Sequence, residues 1–149
     1  MREKFWTELN AARSANECRL WKGVFPEAAV LDINCVCEIN QYLTTHTGAN
    51  AFGDGGPMLT PVHGDPRVRP FYTEFINNIQ VVGTEINWNS LFFFSLVDTH
   101  SSFSLHSDVE TVFLIQGYGE VAMIVADEHQ QNKQILHLQT GDALLLPPL

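Results

Sequence analysis

Basic residues are scarce in this chain. Lys and Arg number 8 against 17 Asp and Glu, a formal net charge of −9. A general nucleic-acid or anionic-membrane binder needs a basic patch, and the only small basic cluster is Arg67 with Arg69. Neither kind of partner is therefore expected. Long apolar runs are lacking too: nothing approaches the ~20 residues that span a bilayer. The N-terminus, MREKFWTELNAARSANEC, has no signal-peptide apolar region. Cysteine is sparse, and Cys18, Cys35 and Cys37 form neither an even framework nor a C-x-x-C zinc spacing. All three read as reduced, mostly buried thiols of a soluble, intracellular (cytoplasmic) protein. No Gly-rich phosphate loop, G-x-S-x-G elbow or Cys/His nucleophile arrangement is present.

The 149 residues suffice for one domain with a real core. Two patterns divide them, a helical portion over 1–85 and a β portion over 86–149. A short helix is expected around Glu3 to Arg13. A better one follows Phe25, with Pro26 in its first turn, Ala29, Ile33, Val36, Cys37 and Leu43 at helical spacing, and Gly48 as its stop. After a Gly/Pro/Asp-rich loop, Pro70 opens another helix whose stripe is Phe71, Phe75, Ile76 and Ile79. From Ile86 the period shortens. Strands are expected near Leu91–Val97, Ser102–Ser107, Thr111–Gln116, Glu120–Ala126, Gln134–Leu138 and Ala143–Leu146. Short strands after helices predict an α+β, mainly β fold: a barrel or sandwich with the N-terminal helices packed outside.

His106-Ser107-Asp108 is the most informative local pattern. On a strand, residues two apart share a face, so an imidazole and a carboxylate would converge there as two of the three ligands of a 2-His-1-carboxylate iron site. Glu110 joins them if extension continues past Asp108. Three such groups on an aliphatic strand are costly unless they bind something. The alternative places 107–110 in a solvated turn with His106 at its rim. A second His-x-Asp, His63-Gly64-Asp65, precedes Pro66 in a Gly/Pro loop where no strand fixes its side chains on a common face, which makes it a weak metal motif. Asp54 and Asp65 lie in an acidic loop able to touch a divalent ion, as most acidic loops are. His100 reads as a surface or substrate-facing residue and His129 as a loop residue, while His137 reads as half-exposed on a strand, a substitute ligand only if its face points inward. The Phe92-Phe93-Phe94 run, Trp88 and Tyr118 read as packing residues.

Three segments carry a family likeness. Leu105-His106-Ser107-Asp108 resembles the H-x-D metal strand of the cupin superfamily, in its JmjC-like Fe(II)/2-oxoglutarate oxygenase branch. Val112-Phe113-Leu114-Ile115-Gln116-Gly117-Tyr118 resembles the strand and turn that follow. Gly141-Asp142-Ala143-Leu144-Leu145-Leu146-Pro147-Pro148 resembles the segment before the family's distal histidine. The resemblance implies a partial double-stranded β-helix (cupin or jelly-roll type), Fe(II) or another divalent metal on His106 and Asp108, 2-oxoglutarate as cosubstrate, and a small-molecule or peptide substrate. The chain departs from the pattern in several places. Gly119 stands where these enzymes carry a cosubstrate-gripping lysine, and the family's last two strands and distal histidine have no counterpart before Leu149. The short interval from His106 to Gly117 also fits a general cupin spacing in which Glu110 is a ligand and Ser104 replaces a histidine.

Three functional expectations follow: an oxygenase of hydroxylase type, a non-catalytic cupin-like binding or structural protein, or an incomplete chain. The strand Leu144-Leu145-Leu146 is expected to end beside unsatisfied pairing positions, covered by self-association, a partner chain or the N-terminal helices.

Overall fold

The computed structural model describes residues 2–48, 58–79, 90–94, 106–127 and 132–148. It is a mixture of helices and small antiparallel sheets. The elements in chain order are α1 (Glu3–Ser14), β1 (Arg19–Trp21), α2 (Ile33–Thr47), β2 (Met58–Leu59), α3 (Arg69–Asn78), β3 (Phe92–Phe93), β4 (Val112–Ile115), β5 (Glu120–Ala126), β6 (Lys133–Gln139) and β7 (Ala143–Leu146). The chain divides into two compact units, Met1–Val30 with Leu105–Leu149, and Leu31–Ser104. The change of sequence period near Ile86 does not coincide with either boundary.

The first unit is layered. Its three-stranded sheet has the order β1-β7-β4, all antiparallel, with Leu20 opposite Leu144 and Leu114 opposite the same residue on the other side. Strand alternation sends Leu144 and Leu146 to one face, where Leu20 and Leu114 join them. Leu136, Leu138, Met123 and Val125 of the β5–β6 ladder pack against that face. The aromatic face is turned to α1. Phe5 meets Trp21 and Phe25 edge-on with centroids 5.3 and 5.4 Å apart, and Phe113 lies 6.2 Å from Phe5. Helix α1 thus packs outside a β structure, as expected of the first N-terminal helix.

Pairing in this unit is nested: β4 pairs with β7, and between them in the chain β5 pairs with β6 in a separate ladder. Among the described residues no sheet closes into a barrel. The expected open edge at Leu144-Leu145-Leu146 is corrected by the structure. β7 is the central strand, and β1 fills the edge from within the chain. Three residues are too few for alternation to declare β1 in the sequence.

The turn into β7 explains the Gly-Asp pair. Gly141 has φ +87°, and a Cβ there would come within 2.8 Å of the Phe25 carbonyl oxygen, whose own amide donates to Gly141 O at 2.8 Å. The Asp142 carboxylate is nearly fully buried. It accepts hydrogen bonds from Lys22 Nζ at 2.7 Å, Gly23 N at 2.8 Å and Gln139 N at 2.8 Å. Burial pushes its pKa up, but those three donors outweigh burial and hold it below the ordinary carboxylate value.

In the second unit, α2 buries Cys35, Val36, Ile39 and Leu43 against Leu59 and Val62, with Phe92 and Phe94 packed alongside. The expected helix after Phe25 is two elements: a 3-10 turn over Pro26–Val30, then α2 from Ile33. Asp32 decides the start, because its carboxylate accepts from Cys35 N at 3.0 Å and caps the helix. Gly48 ends it with φ +73°. In α3, Phe71 and the C-cap Ile79 are buried while Ile76 is exposed, so the apolar stripe is narrower than expected. Only Cys35 is a buried thiol; Cys18 and Cys37 are exposed, which corrects the expectation of mostly buried cysteines. Burial raises the Cys35 pKa to about 11, so its thiol stays protonated and unreactive at neutral pH. Among the described residues, no helix is long and apolar enough to cross a membrane.

Candidate metal site

His106 and Asp108 precede β4 in irregular backbone, not on a strand, and Val109–Glu110 form a bend. The bend interrupts the alternation that would have aligned Glu110 with the other two. The observed local structure is the solvated-turn alternative weighed from the sequence. His106 Nε2 nevertheless approaches Asp108 Oδ1 to 3.7 Å, with the two side chains 57% and 50% exposed. Glu110 is exposed on the same segment. Among the described residues, no group of three His, Cys, Asp or Glu side chains is placed to hold one ion. The two donors fit part of a coordination sphere. Bonds of about 2.1 Å at right angles put two ligand atoms roughly 3 Å apart, so a small side-chain rotation closes the observed gap. Water would have to fill the remaining positions.

The second His-x-Asp is occupied otherwise. His63 Nδ1 lies 2.7 Å from Ser90 Oγ, and its ring stacks on Tyr72 at 4.9 Å. Ser90 Oγ also accepts from Val62 N and His63 N, both at 3.1 Å. Asp65 faces Arg67, whose Nε and Nη2 donate to its two oxygens at 3.0 and 2.8 Å. That guanidinium holds the Asp65 pKa below its ordinary value. Both side chains of the motif are engaged by partners within the second unit. Arg67 is therefore an internal partner, which also takes it out of any basic patch.

His137 is exposed on β6, on the face opposite Leu136 and Leu138, so it does not point into the inter-sheet core. Gly119, at the lysine position of the family pattern, has φ +105° and its amide donates to Thr140 Oγ1 at 3.0 Å. Tyr118 beside it is 71% exposed, which corrects its reading as a packing residue. Phe93 is exposed too, while Phe92 and Phe94 pack in the second unit. Asp54, Trp88, His100, Ser104 and His129, with the expected strand residues 95–97 and 102–105, lie outside the described residues.

Sequence reasoning missed the Lys22–Asp142 pair and the Ser90 hub. Each joins residues far apart in the chain, and no local spacing announces such a contact. No protein-family description, curated protein or solved structure matches this chain.

Proposed function

We propose that this protein is a divalent-metal protein of the double-stranded β-helix kind, and of Fe(II)/2-oxoglutarate oxygenase type. His106 and Asp108 are its first two metal ligands. The observation that carries the reading is the approach of His106 Nε2 to Asp108 Oδ1 at 3.7 Å just ahead of β4. The nested pairing of β4 with β7 around β5 with β6 supports it, because a two-sheet wound fold sets one antiparallel pair inside another in this way. With Fe(II), 2-oxoglutarate and O₂ bound, the site would supply oxidative chemistry able to hydroxylate a C–H bond of a small molecule or peptide. This chain's part is to orient an imidazole and a carboxylate toward one point and to back them with a rigid layered support.

Two protein donors imply weak binding, with most of the coordination sphere left to water. An imidazole and a carboxylate also accept Mn(II), Co(II), Ni(II) or Zn(II), with affinities following the first-row order. Calorimetric titration with Mn(II) should give one weak site that His106→Ala or Asp108→Ala removes, with Glu110→Gln reporting whether Glu110 contributes. Unchanged binding in His106→Ala would refute the assignment. Succinate release from 2-oxoglutarate should be undetectable with this chain alone.

A second reading, a non-catalytic cupin-like binding protein, is favoured by Gly119. Its glycine offers no cation for a cosubstrate carboxylate, and its backbone conformation suits a turn. Metal binding without 2-oxoglutarate binding would select this second reading.

A further inference from the structure

The β5–β6 ladder has two unlike faces. Leu136 and Leu138, with Met123 and Val125, cover the inter-sheet core. The other face carries Glu120, Ala122, Ile124 and Ala126 on β5, opposite Gln139, His137, Ile135 and Lys133 on β6. Ile124 and Ile135 face each other there as a cross-strand pair, 55% and 60% exposed. With Ala122 and Ala126 beside them, the two isoleucines make a small continuous apolar patch in the middle of a regular ladder.

The sequence of this face points to its occupant. Glu120 stands at one end of the ladder and Lys133 at the other, with the apolar residues between. We infer that the face docks a second copy of this chain, related by a two-fold axis lying between the faces and perpendicular to the strands. That operation reverses the strand direction and sets each end of one ladder over the opposite end of the other. Glu120 of each copy then lies near Lys133 of the other, forming two equivalent ion pairs. Ile124 falls opposite Ala122 of the second copy and Ile135 opposite His137, large against small on the β5 side. A two-fold parallel to the strands instead brings the two Lys133 ammoniums together and leaves both Glu120 carboxylates unpaired. Stacked sheets pack about 10 Å apart, within reach of Lys and Glu side chains from both ends. The face is thus its own complement in shape and in charge, as an isologous interface requires. It forms against the general repulsion of two −9 chains, which makes a concentration-dependent dimer the expected state.

Sedimentation equilibrium on the whole chain tests this. The wild type should be a monomer–dimer equilibrium at micromolar concentration. Ile124→Asp should leave only monomer. Glu120→Lys and Lys133→Glu should each weaken the dimer, by about two- to fivefold per broken pair, and the double substitution should restore it. Glu120 and Lys133 are charged and Ile124 is half-exposed, all at the surface, and far-UV circular dichroism should be unchanged throughout. Two results would overturn the proposal: a wild type that stays monomeric at millimolar concentration, or a dimer that persists in Ile124→Asp. Failure of the charge-swapped pair to recover affinity would overturn the two-fold arrangement. None of these outcomes touches His106 or Asp108, so the dimer and the metal reading fail separately.

Discussion

At the scale of single residues, Asp142 is tightly constrained within the first unit. Three donors converge on its carboxylate, and its side chain is only 4% exposed. Asp142→Asn keeps the shape but leaves one oxygen to accept from Lys22, Gly23 and Gln139, and turns an NH₂ group toward a donor. The expected loss at neutral pH is about 2–3 kcal/mol, measured by urea unfolding. The pH dependence follows from the direction of the pKa shift. The folded value lies below the unfolded one, so the carboxylate's contribution is complete above the unfolded value of about 3.9. It is lost as pH falls through the lower folded value, because the unfolded chain binds the proton first. Wild type and Asp142→Asn should therefore converge in stability only in strongly acidic solution. A difference that shrinks already between pH 7 and pH 5 would mean that another group is responsible.

At the scale of elements, the α1 layer is held by aromatic packing rather than by helix propensity. Phe25 is fully buried and meets Phe5 and Trp6 edge-on, with Phe113 of β4 6.4 Å away. Phe25→Ala should cost about 3–5 kcal/mol and shift the fluorescence of the two nearby tryptophans, Trp6 and Trp21. A loss below about 1 kcal/mol would mean that α1 is not docked on the sheet. Legibility in the sequence was uneven among the elements for definite reasons. β5 and β7 are readable because clean turns bound each of them, whereas the region of α1 is only weakly patterned. The start of α2 is hidden in the sequence because Ala29 and Ile33 keep helical spacing across a cap that only the Asp32 side chain declares. β1 was invisible, since its assignment comes wholly from β7. The candidate metal site was legible as residue types at short range. Its alignment was not, because the backbone bends at Val109–Glu110 where alternation alone would have kept it straight.

At the scale of the whole molecule, the order of the chain sets cooperativity. The first unit needs both ends, 1–30 and 105–149, and the second is the segment between them. Each has its own core: leucines between sheets and an aromatic cluster in one, α2 with Leu59, Val62, Phe92 and Phe94 in the other. Separate cores allow separate opening, since local stability follows the contacts of each cooperative unit. Matched substitutions test this. Asp142→Asn strikes the first unit. Ser90→Ala strikes the second, stranding the Val62 and His63 amides that now donate to the hydroxyl, a loss of about 1–3 kcal/mol. Native-state hydrogen exchange should then divide the chain. Asp142→Asn should speed exchange across 112–126 and 133–146 while leaving α2 protected. Ser90→Ala should do the reverse, exposing 58–63, 92–94 and α2 while the β4–β7 ladder stays slow. If either substitution accelerates both sets of amides by the same factor, the chain unfolds as one cooperative body despite its two cores. In that case a destabilising change anywhere in the inserted segment would also loosen the support beneath His106 and Asp108.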